Sequence, residues 1–124
     1  MNPYRVIIAG GRDFNDYDRL KRKADSLLTV KARTSDIVIV SGHAKGADTL
    51  GERYAKEKGF GLELYPADWE AHGKAAGVMR NKRMAEVADA LIAFWDGQSR
   101  GTWNMIEEAE ARKLPIRVIR YGDL

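Results

Sequence analysis

The sequence predicts an α/β protein: a Rossmann-like three-layer α/β/α domain on a five-stranded, mainly parallel sheet. Two observations predict it. Short apolar runs alternate with amphipathic stretches from end to end. The intervening stretches are long enough to be crossover helices, which parallel strands require and which cover both faces of the sheet.

The elements follow in order. Tyr4–Ala9 reads as a buried strand. Tyr17, Leu20, Ala24, Leu27 and Leu28 then recur at helical spacing, with Asp16 or Asn15 available as the cap. Ile37–Val40 is the second strand. Ala47, Leu50, Gly51, Tyr54 and Ala55 mark the second helix, and Gly59 is its stop. Leu62–Tyr65 is the third strand, ended by Pro66. Small and polar residues predict a loop from Ala67 to about Gly77, and a third helix runs from there to Val87. Ala90–Trp95 is the fourth strand. A fourth helix covers about Thr102 to Lys113, and Ile116–Arg120 is the fifth strand. The 124 residues fit one domain, 1–124, without linker or repeat.

Composition removes several functions. There is no cysteine, so disulfides and thiolate catalysis are excluded. Two histidines without cysteine argue against structural zinc, and no metal or cofactor is expected. The apolar run near the N-terminus is too short to span a membrane and lacks a cleavage pattern. A cytoplasmic protein with no membrane partner is the expectation. The net charge is only +3, with both signs interspersed. Lys21, Arg22 and Lys23 read as a solvated helix face, because a nucleic-acid surface needs a stronger basic excess or a binding motif.

Ligands of such sheets bind beyond the carboxyl ends of the strands, near a switch in strand order. Three loops at that edge stand out. Gly10, Gly11, Arg12 and Asp13 follow the first strand. Ser41, Gly42, His43, Gly46 and Asp48 follow the second. Gly97, Ser99, Gly101 and Thr102 follow the fourth. Glycine permits close approach of a ligand to backbone, and the last two loops run into helix starts that favour anions. The spacing matches neither the dinucleotide fingerprint nor the P-loop lysine motif.

The third helix adds a second clue. Met84, Val87 and Ala88 define its buried face, and one turn back on that face lie Arg80 and Asn81 in the helix's first turn. Arg80 either reaches solvent, pairs with a carboxylate such as Asp48, or holds a phosphate in the crevice. Lys82 and Glu86 form an exposed i,i+4 pair. Ser41 and His43 lie too close in one turn for nucleophile–base geometry. His72 reads as a solvated histidine. Trp95 and Trp103 read as packing residues, and Trp69 is the candidate for stacking on a base.

The segments IIAGGRDF, SGHAKGAD, MRNKRM and FWDGQSRGTWNMIEEA resemble the YspA-type branch of the SLOG superfamily, from Arg5 to Ile119. The resemblance implies a Rossmann-like domain that binds nucleotides or their derivatives. It also brings two relatives: LOG phosphoribohydrolases, which release a base from a nucleoside monophosphate, and DprA, which binds single-stranded DNA. It implies that Gly10 and Gly11 form the first ligand turn, and Ser41, Gly42 and Gly46 the second. It places Arg80 at a catalytic arginine and Gly97, Gly101 and Thr102 at a phosphate turn. That turn is longer here than in LOG enzymes and lacks their proline. Met105 stands where they carry the catalytic glutamate. A carboxylate for glycosidic cleavage would therefore come from Asp13, Asp48, Glu108 or Asp96.

The expectation is a binding or sensing module for a nucleotide-derived small molecule. The alternative is a nucleotide N-glycosidase with Arg80 and Asp48 as its catalytic residues. DprA-like single-strand binding rests on fold analogy alone. A homo-oligomer is expected from the resemblance.

Overall fold

The computed structural model describes residues 1–122, so the last two residues of the expected domain lie outside it. Five strands form one sheet: β1 (Pro3–Gly10), β2 (Asp36–Ser41), β3 (Gly61–Leu64), β4 (Ala90–Trp95) and β5 (Ile116–Arg120). Their order is β3-β2-β1-β4-β5, and every pairing is parallel. The helices are α1 (Tyr17–Leu28), α2 (Ala47–Lys58), α3 (Trp69–His72), α4 (Ala76–Val87) and α5 (Arg100–Ala111).

β1 shows how the sequence builds the layers. Its side chains alternate between two cores. Val6 and Ile8 join Leu20, Ala24, Tyr54 and Ala55 under α1 and α2. Ile7 and Ala9 join Met84, Ala85, Met105 and Ile106 under α4 and α5. Both faces are covered, so the strand is a continuous apolar run rather than an alternating one. Order reverses between β1 and β4, and the crevice expected at such a switch opens above Gly10 and Phe94.

Local signals explain most boundaries. The Asp16 carboxylate caps α1 by accepting the Arg19 amide at 3.1 Å. Gly59 ends α2 in the left-handed region, at φ 72°. Lys21, Arg22 and Lys23 are exposed along α1.

Four sequence expectations require correction. The segment expected to be a loop up to Gly77 contains α3, capped by the Asp68 carboxylate, and then a 3₁₀ turn at Gly73–Ala75. Because α4 begins at Ala76, Arg80 and Asn81 lie in its second turn rather than its first. Val87 is not part of the buried face: it is the last residue of α4 and is exposed. Glu86 does not pair with Lys82 among the described residues; it pairs with Arg112, at 3.6 Å, the residue that caps the C-terminus of α5.

Candidate functional site

A cleft of ≈ 570 Å³ lies at the carboxyl edge of the sheet. That volume suits a small organic ligand. The turn after β1 contributes Gly10, Gly11, Arg12 and Asp13. Asp48 enters from the first turn of α2, and Arg80 and Asn81 from α4. The start of α5 contributes Ser99, Gly101 and Thr102, and Trp69 and Lys74 stand at the opposite rim. Ser41, Gly42, His43, Gly46 and Gly97 do not line the cleft; they support it from behind.

The glycines divide by what surrounds them. An added Cβ at Gly10 would strike the Phe94 carbonyl, and one at Gly11 the Tyr121 hydroxyl. Gly46 has φ 81° and faces the Gly11 carbonyl, which accepts the Ala47 amide at 3.2 Å. Gly42 is pressed between Arg80 and Asp48, and Gly97 has φ 86° beneath the Arg120 guanidinium. At these five positions glycine lets the chain approach itself. Gly101 differs: it lines the cleft and a Cβ there would meet nothing within 4 Å.

Arg80 is held rather than free. Its Nη1 donates to the Gly42 carbonyl at 2.5 Å and its Nε to Asn81 Oδ1 at 2.9 Å. Asn81 passes the connection on, since its Nδ2 donates to Gly101 O at 3.2 Å and Asn104 Oδ1 at 2.8 Å. This chain of bonds ties the β2 loop to the start of α5. Nη2 of Arg80 has no partner among the described residues. Burial lowers the Arg80 pKa, with Asp48 opposing the shift. The sequence alternatives of solvent or an Asp48 ion pair give way to this network, since no Arg80–Asp48 contact falls within ion-pair distance among the described residues.

The turn at the start of α5 is already occupied by its own acid. Asp96 Oδ1 accepts the amides of Gln98 and Ser99, both at 2.8 Å. Those amides, first Ser99 and then Gln98, hold the Asp96 pKa below its ordinary value. The Ser99 hydroxyl accepts the Thr102 amide at 3.4 Å. That leaves the amides of Arg100 and Gly101 without a partner among the described residues, beside the cleft. Trp95 braces this turn: its indole nitrogen donates to Ser99 O at 3.0 Å, and its ring stacks on Trp103.

The four carboxylates considered for catalysis separate cleanly. Asp13 accepts the Tyr121 hydroxyl at 2.6 Å. Asp96 caps its own turn, and Glu108 pairs with Arg112 at 2.7 Å. Asp48 is the buried one of the four: it lines the cleft and accepts the Ala44 amide at 3.3 Å. Burial pushes its pKa up to about 6; the Ala44 amide and Arg80 oppose the shift, Glu52 adds a smaller push, and the Gly10 amide opposes it. A carboxyl that titrates near neutrality suits proton transfer.

This shift carries a stability prediction. The folded state holds the Asp48 proton more tightly than the unfolded chain does. The resulting stabilisation is fully present below the ordinary value of 3.8 and is lost as pH rises through about 6. The loss amounts to about 3 kcal/mol. Denaturant titrations across that range should show a slope that is absent in Asp48→Asn. Equal slopes in both proteins would refute the assignment.

Residues missed in the sequence include Glu52, Asn104 and Tyr121. Glu52 is buried and binds both Ser41 and His43. Its signal was readable, since it is a charged residue among the buried positions of α2. Ser41 is fully buried and contacts Glu52 rather than the His43 ring, which excludes it as a nucleophile for a cleft ligand.

Fold and cleft together define a Rossmann-like α/β protein with a crevice at the β1/β4 switch. A model of the YspA, cpYpsA-related SLOG family matches residues 4–72. The chain belongs to that family. It is 40% identical over 126 aligned residues to the gene 61 protein of Mycobacterium phage D29, covering 96% of this chain and 97% of that one. Its fold is similar to that of DNA processing protein A (DprA) from Streptococcus pneumoniae, with TM-score 0.74 and 18% identity over 99% of this chain. The chain spans about half of DprA, 52% of its length. The protein TM1055 is similar with TM-score 0.65 and 20% identity, over 94% of this chain and 72% of TM1055. At these identities the two structures show the fold alone. Among the described residues no helix is long and apolar enough to cross a membrane.

Proposed function

We propose that the protein binds a nucleotide or nucleotide-derived small molecule in the cleft between β1 and β4. Family membership and the fold shared with DprA support a role connected with nucleotides. The observation that carries the reading is the set of unused groups in one cleft. Nη2 of Arg80 and the amides of Arg100 and Gly101 suit a phosphate, and the half-exposed indole of Trp69 suits a base. The amides of the Asp96 turn are already satisfied, so the anion falls to Arg80 and the first α5 amides.

Thermal-shift titration with nucleoside mono- and diphosphates, cyclic nucleotides and ADP-ribose derivatives tests this. A melting temperature that climbs with ligand concentration is expected. No shift with any anionic nucleotide, on protein shown to be empty, would overturn it.

Gly101 supplies a sharper test. Gly101→Ala meets no atom and replaces a poor helix former, so stability should hold or rise by up to about 1 kcal/mol. Nucleotide affinity should nevertheless fall, because the new methyl intrudes on the cleft. Unchanged affinity by calorimetry would remove Gly101 from the binding surface.

A second reading, nucleotide N-glycosidase, is favoured by Asp48. In that reaction the C1′–N bond breaks, water supplies hydroxide to C1′, and the base leaves with a proton. A carboxyl with pKa near 6 can donate or accept that proton. Chromatographic detection of free base after long incubation distinguishes enzyme from sensor.

Nucleic-acid binding is expected to be weak at physiological salt, given a net charge of +3. Tight, steeply salt-dependent binding of a random single strand would reverse that. Self-association is proposed from the family resemblance, and sedimentation showing only monomer at micromolar concentration would refute it.

A further inference from the structure

Four cationic and three acidic side chains line the cleft, yet among the described residues no ion pair forms between them. The acids are engaged by neutral donors instead. Asp13 accepts the Tyr121 hydroxyl at 2.6 Å, Asp48 the Ala44 amide at 3.3 Å, and Asp96 the Gln98 and Ser99 amides at 2.8 Å. The cations Arg12, Lys74, Arg80 and Arg100 are left facing whatever enters the cleft. They come from separate walls: Arg12 from the turn after β1, Lys74 from the 3₁₀ turn before α4, Arg80 from α4 and Arg100 from the first position of α5.

The backbone that carries Arg12 is fixed. A Cβ on Gly46 would lie 2.7 Å from the Arg12 carbonyl oxygen, so the start of α2 presses on it directly. On one side the Gly11 amide donates to Phe94 O at 3.0 Å, and on the other Asp13 is held by Tyr121. Arg80 is pinned at Nη1 and Nε. Two guanidiniums thus stand on braced supports in different walls of one cleft, a like-charged pair that an anion between them would relieve. A single phosphate carries about two negative charges at neutral pH and is served by one guanidinium and a few amides. Arg80 and the first amides of α5 suffice for that, which leaves Arg12 over. We propose that the ligand carries a second phosphate, as a nucleoside 5′-diphosphate unit, with Arg80 holding one phosphate and Arg12 the next. Lys74 and Arg100 add positive field at the rim.

This inference rests on the cleft reading above and narrows it. Calorimetry on the full-length protein tests it with paired probes: inorganic phosphate against pyrophosphate, and AMP, GMP, CMP and UMP each against its diphosphate. Pyrophosphate and at least one nucleoside diphosphate should bind about tenfold or more tighter than their single-phosphate counterparts, as an added charge-assisted contact implies. ADP-ribose joins the ADP arm, because its outer phosphate is esterified. Either compound exceeding AMP by that margin supports the proposal, and the tighter of the two tells a bridging phosphate from a terminal one. Arg12 is exposed, so its substitution should not disturb folding. Arg12→Gln should shrink the diphosphate-to-monophosphate affinity ratio toward one. Arg12→Lys should restore part of it, since the charge is kept and the planar fork is lost. A ratio near one in the wild type, or a ratio undiminished in Arg12→Gln, overturns the proposal while nucleotide binding stands. Failure of every nucleotide to bind overturns the cleft reading itself, and this proposal with it.

Discussion

Met105→Ala is expected to lower stability by about 2–5 kcal/mol, the range for emptying a buried methionine site. Met105 is 1% exposed and packs with Ile106, Met84 and Ala93 between α5 and the sheet. The resemblance to LOG enzymes implies a glutamate at this position, so Met105→Glu is the informative companion. It places a carboxyl in a buried position at the cleft floor, packed against Ile106, Met84 and Ala93. Burial then raises its pKa, and the variant should be most stable when protonated. Its deficit against wild type should widen as pH rises from 4 to 8, exceeding that of Met105→Ala at the top of the range. Chemical denaturation at several pH values reads this directly. A Met105→Glu protein as stable as wild type at pH 8 would show that the position can open to solvent.

Arg80→Ala should weaken binding of an anionic nucleotide by about 1.5–3 kcal/mol, roughly ten- to over a hundredfold in affinity. The guanidinium is held by Gly42 O and Asn81 Oδ1, and its Nη2 has no partner among the described residues. Arg80→Lys keeps the charge but cannot make both bonds and still present a donor. It should therefore lose most of the same affinity. If base release is observed in wild type, both variants should abolish it. Calorimetry with full affinity in Arg80→Ala would remove this residue from the site.

The sheet was legible because its strands are apolar runs separated by crossover lengths, and burial on both faces leaves little ambiguity. The direction of Arg80 and Asn81 was legible too, although α4 begins earlier than expected. Its start is hidden by α3 and a 3₁₀ turn, whose short amphipathic pieces leave no clear period. The site was less readable where residues satisfy one another. Three glycine turns suggested room for a ligand, yet Gly10, Gly11 and Gly46 are required because β1, β4 and α2 crowd together. Asp96 takes the amides a phosphate would take, which an Asp-Gly-Gln-Ser turn can signal in advance. Val87 misled because helical spacing continues to the end of α4 while the sheet beneath it does not.

The pairing of β1 with β4 also has a consequence for synthesis. Val6 lies beside Ala90, a separation of 84 residues, whereas β1 meets β2 much sooner along the chain. At translation rates of about 5–20 residues per second, one edge of β1 waits roughly 4–17 s for its partner. During that interval an open strand of Val6, Ile7 and Ile8 is exposed to other nascent chains. Ribosome-stalled chains ending before Ala90 should therefore be prone to aggregation, and the fold closes only once β4 has left the exit tunnel.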